Sequence, residues 1–125
     1  MSNSNTLQAL AERCEQASGP DREINKDILL ALGYSWRGMN YWHSDDNRAW
    51  EGSISFTASL DAALKLVPDG WRWAVSTTND DPPCAFGHPP DKSFWIEDTP
   101  AATPALALCA FALRARAAID APHDP

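Results

Sequence analysis

"SLDAALKLVPDGWRWAV" (residues 59–75) decides the fold. Ser59 is suited to cap a helix, because its hydroxyl can accept an orphan amide of the first turn. Leu60, Ala63, Leu64 and Val67 recur at helical spacing, which predicts a helix over 59–67 with that stripe inward. Pro68 has no amide hydrogen to extend the ladder, and Asp69-Gly70 supplies a turn. Over 71–75 the period changes to two: Trp71, Trp73 and Val75 share one face, Arg72 and Ala74 the other. The expectation is a strand whose tryptophan face packs on helices, with Leu60, Leu64, Trp71, Trp73, Leu106 and Leu113 in one core.

Upstream, Leu7, Leu10, Ala11 and Cys14 form a helical stripe, with Asn5 or Thr6 as cap and Gly19-Pro20 as stop. A second helix is predicted from about Asp21 to Leu32, with Ile24, Ile28, Leu29 and Leu32 inward and Gly33 closing it. Strands are predicted near 34–37, 39–43 and 50–56, around a polar loop at 44–48. Downstream, "CAFG" and "FWIED" read as strands separated by "HPPDKS". The last helix begins with Thr103 as cap and Pro104 at its first position. Both of its sides are apolar, so the stripe through Leu108, Phe111 and Ile119 lies either under the first helices or between subunits. Connections this short favour antiparallel pairing. The expected fold is α+β: an antiparallel sheet sandwiched between helical layers (an α/β/α sandwich), as one domain over 1–120 with a flexible tail at 121–125.

At 125 residues with ten basic and seventeen acidic side chains, the chain carries a net charge of −7. Phosphate contacts along a duplex need a basic surface, so duplex nucleic acid is not an expected partner. The acids are interspersed with Arg22, Lys26, Arg37, Arg48, Lys65 and Arg72, which fits a DNA mimic poorly. The apolar run from Ala105 to Leu113 is far short of the roughly 20 residues a bilayer span needs. No basic flank precedes an apolar run at the N-terminus, so a cytoplasmic protein is expected.

Motifs that carry chemistry are few. Cys14, Cys84 and Cys109 contain no C-x-x-C pair, and Cys84 with His88 would be half a zinc site with no second half. Asp45-Asp46 and Asp80-Asp81 lack the spacing of a calcium loop. No nucleophile elbow, dinucleotide fingerprint or phosphate loop occurs. The expectation is therefore no enzyme, no metal and no cofactor. Trp36, Tyr41, Trp42 and Trp50 lie among polar residues in a stretch without a clean period. Aromatics beside arginine can stack on a base while guanidinium grips a phosphate. The ligand-binding expectation is Trp36, Arg37, Tyr41, Trp42, His43, Arg48 and Trp50; a second small core under a long loop is the alternative.

Three blocks, "GPDREINKDILLALG", "FTASLDAALKLVPDGWRWAV" and "TPALALCAFALRARAA", together resemble the phage ABA-sandwich family of small bacteriophage and prophage proteins. The resemblance covers roughly half the chain and implies a phage origin and a sheet between helical layers. It carries no catalytic residues. With small size and abundant aromatics, it leads to the expectation of a cytoplasmic sponge in the infected host. Such a sponge would sequester a nucleotide immune-signalling molecule, such as a cyclic nucleotide or an ADP-ribose derivative. The chain is expected to form a homo-oligomer. The alternative function is a protein-interaction or structural accessory that forms a homo-oligomer or binds a host protein.

Overall fold

The computed structural model describes residues 4–37, 41–44, 49–50, 54–78 and 80–120. Four helices, α1 (Ser4–Gln16), α2 (Arg22–Ala31), α3 (Leu60–Leu64) and α4 (Pro104–Asp120), accompany five strands. The strands are β1 (Tyr34–Arg37), β2 (Tyr41–Ser44), β3 (Arg72–Ser76), β4 (Cys84–His88) and β5 (Ile96–Pro100). β1 and β2 form an antiparallel hairpin, and β3-β4-β5 an antiparallel sheet in chain order. The fold class is the expected one, α+β with an antiparallel sheet packed against helices.

α4 sets the layering. It packs on α1 and α3 on one side and lies over β4 and β5, and less over β3, on the other. Leu106, Leu108, Cys109, Phe111 and Leu113 are all fully buried within the single chain. That resolves the two-sided helix: its second stripe is inside the fold rather than between subunits, with only Ile119 emerging near the end. Arg114 clamps α4 to α1 through a two-pronged contact with Glu15 (2.7 and 3.0 Å from Nη2) and a bond to Gln8. Arg116 Nε donates to the Leu66 carbonyl at 2.6 Å and ties α4 to the end of α3.

The first two helices follow the sequence reading closely, except that Asn5 and Thr6, expected as caps, lie inside α1. Leu7, Leu10, Ala11 and Cys14 are the buried face of α1. Asp21 caps α2 by accepting from the amides of Glu23 and Ile24. Gly33 (φ 93°) closes α2, and Gly70 (φ 82°) makes the turn before β3, both in the left-handed region. Residues 54–56, expected to be strand, instead lead into a turn. There the buried Thr57 amide donates to Asn25 Oδ1 at 3.0 Å, and the Asp21 amide donates to Thr57 Oγ1 at 2.8 Å. This side chain–backbone network takes the place of a strand ladder.

Two core assignments need correction. Ser59 caps α3 as expected, but the helix closes after Leu64 with i→i+3 bonds from Lys65, Leu66 and Val67. Three residues per turn bring Ala63 and Leu66 onto one face. The buried set is therefore Ala62, Ala63 and Leu66, while Leu60 and Leu64 are 41% and 39% exposed. Trp71 is buried as expected, but it precedes β3 and packs edge-on against Phe111 with ring centroids 6.2 Å apart. Trp73 is 39% exposed because β3 is the edge strand that α4 covers least.

Candidate functional site

The β1–β2 hairpin places the expected site as follows. Trp42 is half-buried against the core, and its carbonyl accepts the Trp50 amide at 2.8 Å. Trp50 is held edge-on between Tyr34 (5.2 Å, 87°) and Phe56 (5.4 Å, 86°). Such T-shaped pairs are a packing arrangement, and the partly buried indole belongs to a cluster that continues into the core. Trp36, Arg37, Tyr41 and His43 have described backbones in the hairpin, with Trp36 opposite Trp42 and Arg37 opposite Tyr41. The side chains of those four, and Arg48, Asp45 and Asp46 entirely, lie outside the described residues, as does the tail at 121–125. A groove of about 790 Å³ does border this cluster, lined by Tyr34, Trp50, Leu64, Val67, Lys65 and Asp69. Its lysine and aspartate offset each other.

A different surface combines exposed aromatics with positive charge. The three-stranded sheet buries one face on α4. Alternation and register give the other face Arg72 and Ala74 from β3, and Phe86 and His88 from β4. Gly87, between them, faces α4: a Cβ there would meet Phe111. β5 begins at Ile96, two residues later than the sequence suggests, so Phe94 and Trp95 precede it. Trp95 is 56% exposed and rests on the His88 ring, with centroids 4.4 Å apart and planes tilted by 54°. His88, expected in a loop, is the buried last residue of β4. Its Nδ1 lies 2.7 Å from the Pro89 carbonyl. A carbonyl only accepts, so Nδ1 carries the proton and Nε2 of the neutral ring is the acceptor.

The resulting groove holds about 310 Å³ and is bordered by Arg72, Trp73, Phe86, His88, Lys92 and Trp95. Lys92 sits in the turn after Pro89-Pro90 with φ 57°, a left-handed conformation that a lysine seldom adopts. The turn is held by the Lys92 amide, which donates to the Pro89 carbonyl at 3.0 Å. Asp91, next to it, turns back to accept from Ser93. The Ser93 hydroxyl and amide hold its carboxyl below the usual range. No carboxylate is among the groove's described lining residues, in a chain whose net charge is −7.

These residues are inconspicuous in the sequence for identifiable reasons. Trp73 alternates with Trp71 as a core residue would, and nothing local shows that β3 is an edge. "FWIED" reads as a strand from Phe94, which puts Trp95 inside it. The signal that was available is "DKSFW": a charged turn running straight into two bulky aromatics. Cys84 and His88 stand at opposite ends of β4, where four steps of strand separate their backbones by about 13 Å, too far to share a metal ion.

No helix among the described residues is long and apolar enough to cross a membrane. Compared with known proteins, the chain matches no family model, no curated protein and no solved structure, so its likeness to the phage family rests on the three quoted blocks.

Proposed function

We propose that the chain is a non-enzymatic binding protein that holds a nucleotide on the open face of the β3–β5 sheet. One observation carries the reading: Trp95, 56% exposed, rests on His88 in a groove that includes Arg72 and Lys92 and no described carboxylate. A planar anionic ligand gains there from stacking and from charge together. Elsewhere on an acidic chain it would meet repulsion. Among the described lining residues the imidazole is the group suited to act as a general base near neutral pH, and none of the others carries a hydroxyl, thiol or carboxylate. That composition supports binding without turnover. Together with the resemblance to small phage proteins, it supports a sponge for a nucleotide signal of host anti-phage defence, a cyclic nucleotide or an ADP-ribose derivative, acting in the cytoplasm of the infected cell.

The test is a thermal-shift panel of mononucleotides, cyclic oligonucleotides and ADP-ribose. A ligand at 100 times its dissociation constant stabilises the fold by about 2.7 kcal/mol. Trp95→Ala and Arg72→Glu should reduce that shift and leave the melting point of the free protein in place. A panel in which nothing shifts the wild-type melt removes the reading.

A separate groove favours the second reading, an interaction accessory. Trp71, Pro89, Pro90, Phe94, Ala118 and Ile119 border about 380 Å³ of mainly apolar surface, with Phe94 and Ile119 exposed. Exposed apolar clusters of this kind meet polypeptides, here a host protein or a second copy of the chain. A monomer mass at tens of micromolar by light scattering would exclude the second copy.

A further inference from the structure

The open sheet face carries two flat rings, and their placement bears on what the ligand is. Phe86 and His88 are two residues apart on β4, so their side chains leave the same face about 6.6 Å apart. Trp95 rests on the second of them. Phe86 and the His88–Trp95 pair are thus neighbouring positions, a two-residue step of strand apart, in one groove. That step is about twice the 3.4 Å rise between stacked bases of one nucleic-acid strand. A single base covers one position. Two bases splayed apart on an extended sugar–phosphate link cover both, which is how sheet faces hold unstacked nucleotides.

Charge limits the length of such a ligand. Arg72 is directly opposite His88 in the β3–β4 register, and Lys92 borders the same groove. Those two cations can serve one or two phosphates. Beyond them a longer strand meets a chain of net charge −7, and each added phosphate is repelled. His88 Nε2, an acceptor in the neutral ring because Nδ1 donates to Pro89, adds a partner for a base N–H.

Resting on the nucleotide-binding reading above, we infer that the open sheet face is a dinucleotide site. Two bases joined by a phosphodiester lie on Phe86 and Trp95, and the phosphate lies toward Arg72 and Lys92. The experiment titrates the full chain at fixed salt with AMP, with the dinucleotide ApA and with an eight-residue deoxyadenylate strand. Tryptophan fluorescence and calorimetry read the binding.

ApA should bind on the order of 5- to 150-fold tighter than AMP, the gain from one more stacked base. The octamer should gain nothing over ApA beyond its number of equivalent registers. Phe86→Leu keeps an apolar side chain and removes the ring. It should bring ApA close to the affinity of AMP while leaving AMP within about twofold, whereas Trp95→Ala should weaken both, by a factor in the same range. The wild-type ratio of ApA to AMP decides the matter even if Phe86→Leu fails to fold. Equal affinities for AMP and ApA overturn the dinucleotide site and leave the mononucleotide reading standing. An octamer that binds tighter than ApA by more than its number of registers overturns it in favour of single-stranded nucleic acid. No binding by any of the three overturns the dinucleotide site, and the thermal-shift panel with cyclic oligonucleotides and ADP-ribose then decides the nucleotide reading.

Discussion

Gly87→Ala tests the architecture beneath the groove. Gly87 pairs with Trp73 in β3 and, across a bulge, with Ile96 in β5, so it sits mid-sheet under α4. A methyl group there would overlap the main-chain oxygen of Arg72 and come within 2.8 Å of Phe111 Cζ. Ordinary contact needs 3.4 Å or more, and the Arg72 oxygen belongs to a paired strand that cannot swing aside. Relief requires β3 to separate from β4 or the sheet to lift from α4. Overpacking of a dense core costs about 1–3 kcal/mol, and a weakened ladder bond adds about 1 kcal/mol. The expected loss is therefore about 3 kcal/mol, or roughly 12 °C in melting temperature for a domain of this size. Gly19→Ala is the control, because nothing lies within 4 Å of a Cβ there and φ is not left-handed. It should change stability by less than about 1 kcal/mol, in the stabilising direction. Urea unfolding followed by circular dichroism gives both numbers. Equal midpoints for the two variants would refute the β3–β4 register or the seat of α4.

Other outcomes follow from the same packing. Leu66→Ala, at a fully buried position, should cost about 2–5 kcal/mol, whereas the exposed Leu64→Ala should cost less than about 1 kcal/mol in the same denaturation assay. Cys14 and Cys109 are buried, and the Cys109 thiol is pushed well above its ordinary value by its hydrogen bond with Cys14 and by burial. A thiol reagent added to the native protein should label Cys84 first and reach the other two only on unfolding, as peptide mapping would show. Asp91 is held low by Ser93, so its contribution is present above pH 3.8, the ordinary value, and is lost as pH falls through the lower folded value. Ser93→Ala should raise the Asp91 midpoint in an NMR carboxyl titration.

The parts of the fold that depend on local chemistry were readable from sequence. Asp21 and Ser59 cap as their side chains dictate, the α1 stripe is the buried one, and α4 runs from Pro104. What escaped depends on position in the assembled sheet. Alternation fixes that Trp71, Trp73 and Val75 differ from their neighbours, but burial of Trp73 depends on whether another strand or helix covers β3. Leu60 and Leu64 fit an ideal helix, yet the last turn of α3 tightens and hands the buried positions to Ala62, Ala63 and Leu66. The candidate site was legible only as aromatic surplus. Trp42 and Trp50 border the core, whereas the exposed tryptophans among the described residues are Trp73 and Trp95, and Trp95 meets His88, seven residues earlier, only because the chain turns back between β4 and β5.

The most direct measurement is the indole N–H region of a 15N-labelled NMR spectrum during titration with AMP and then ApA. The chain has six tryptophans, so each resonance can be assigned by single substitution. The account predicts that the Trp95 indole shifts, together with the backbone amides of Arg72, His88 and Lys92, while Trp42 and Trp50 stay in place. Shifts at Trp42 and Trp50 with Trp95 unmoved would put the ligand on the hairpin side and contradict the open-sheet site.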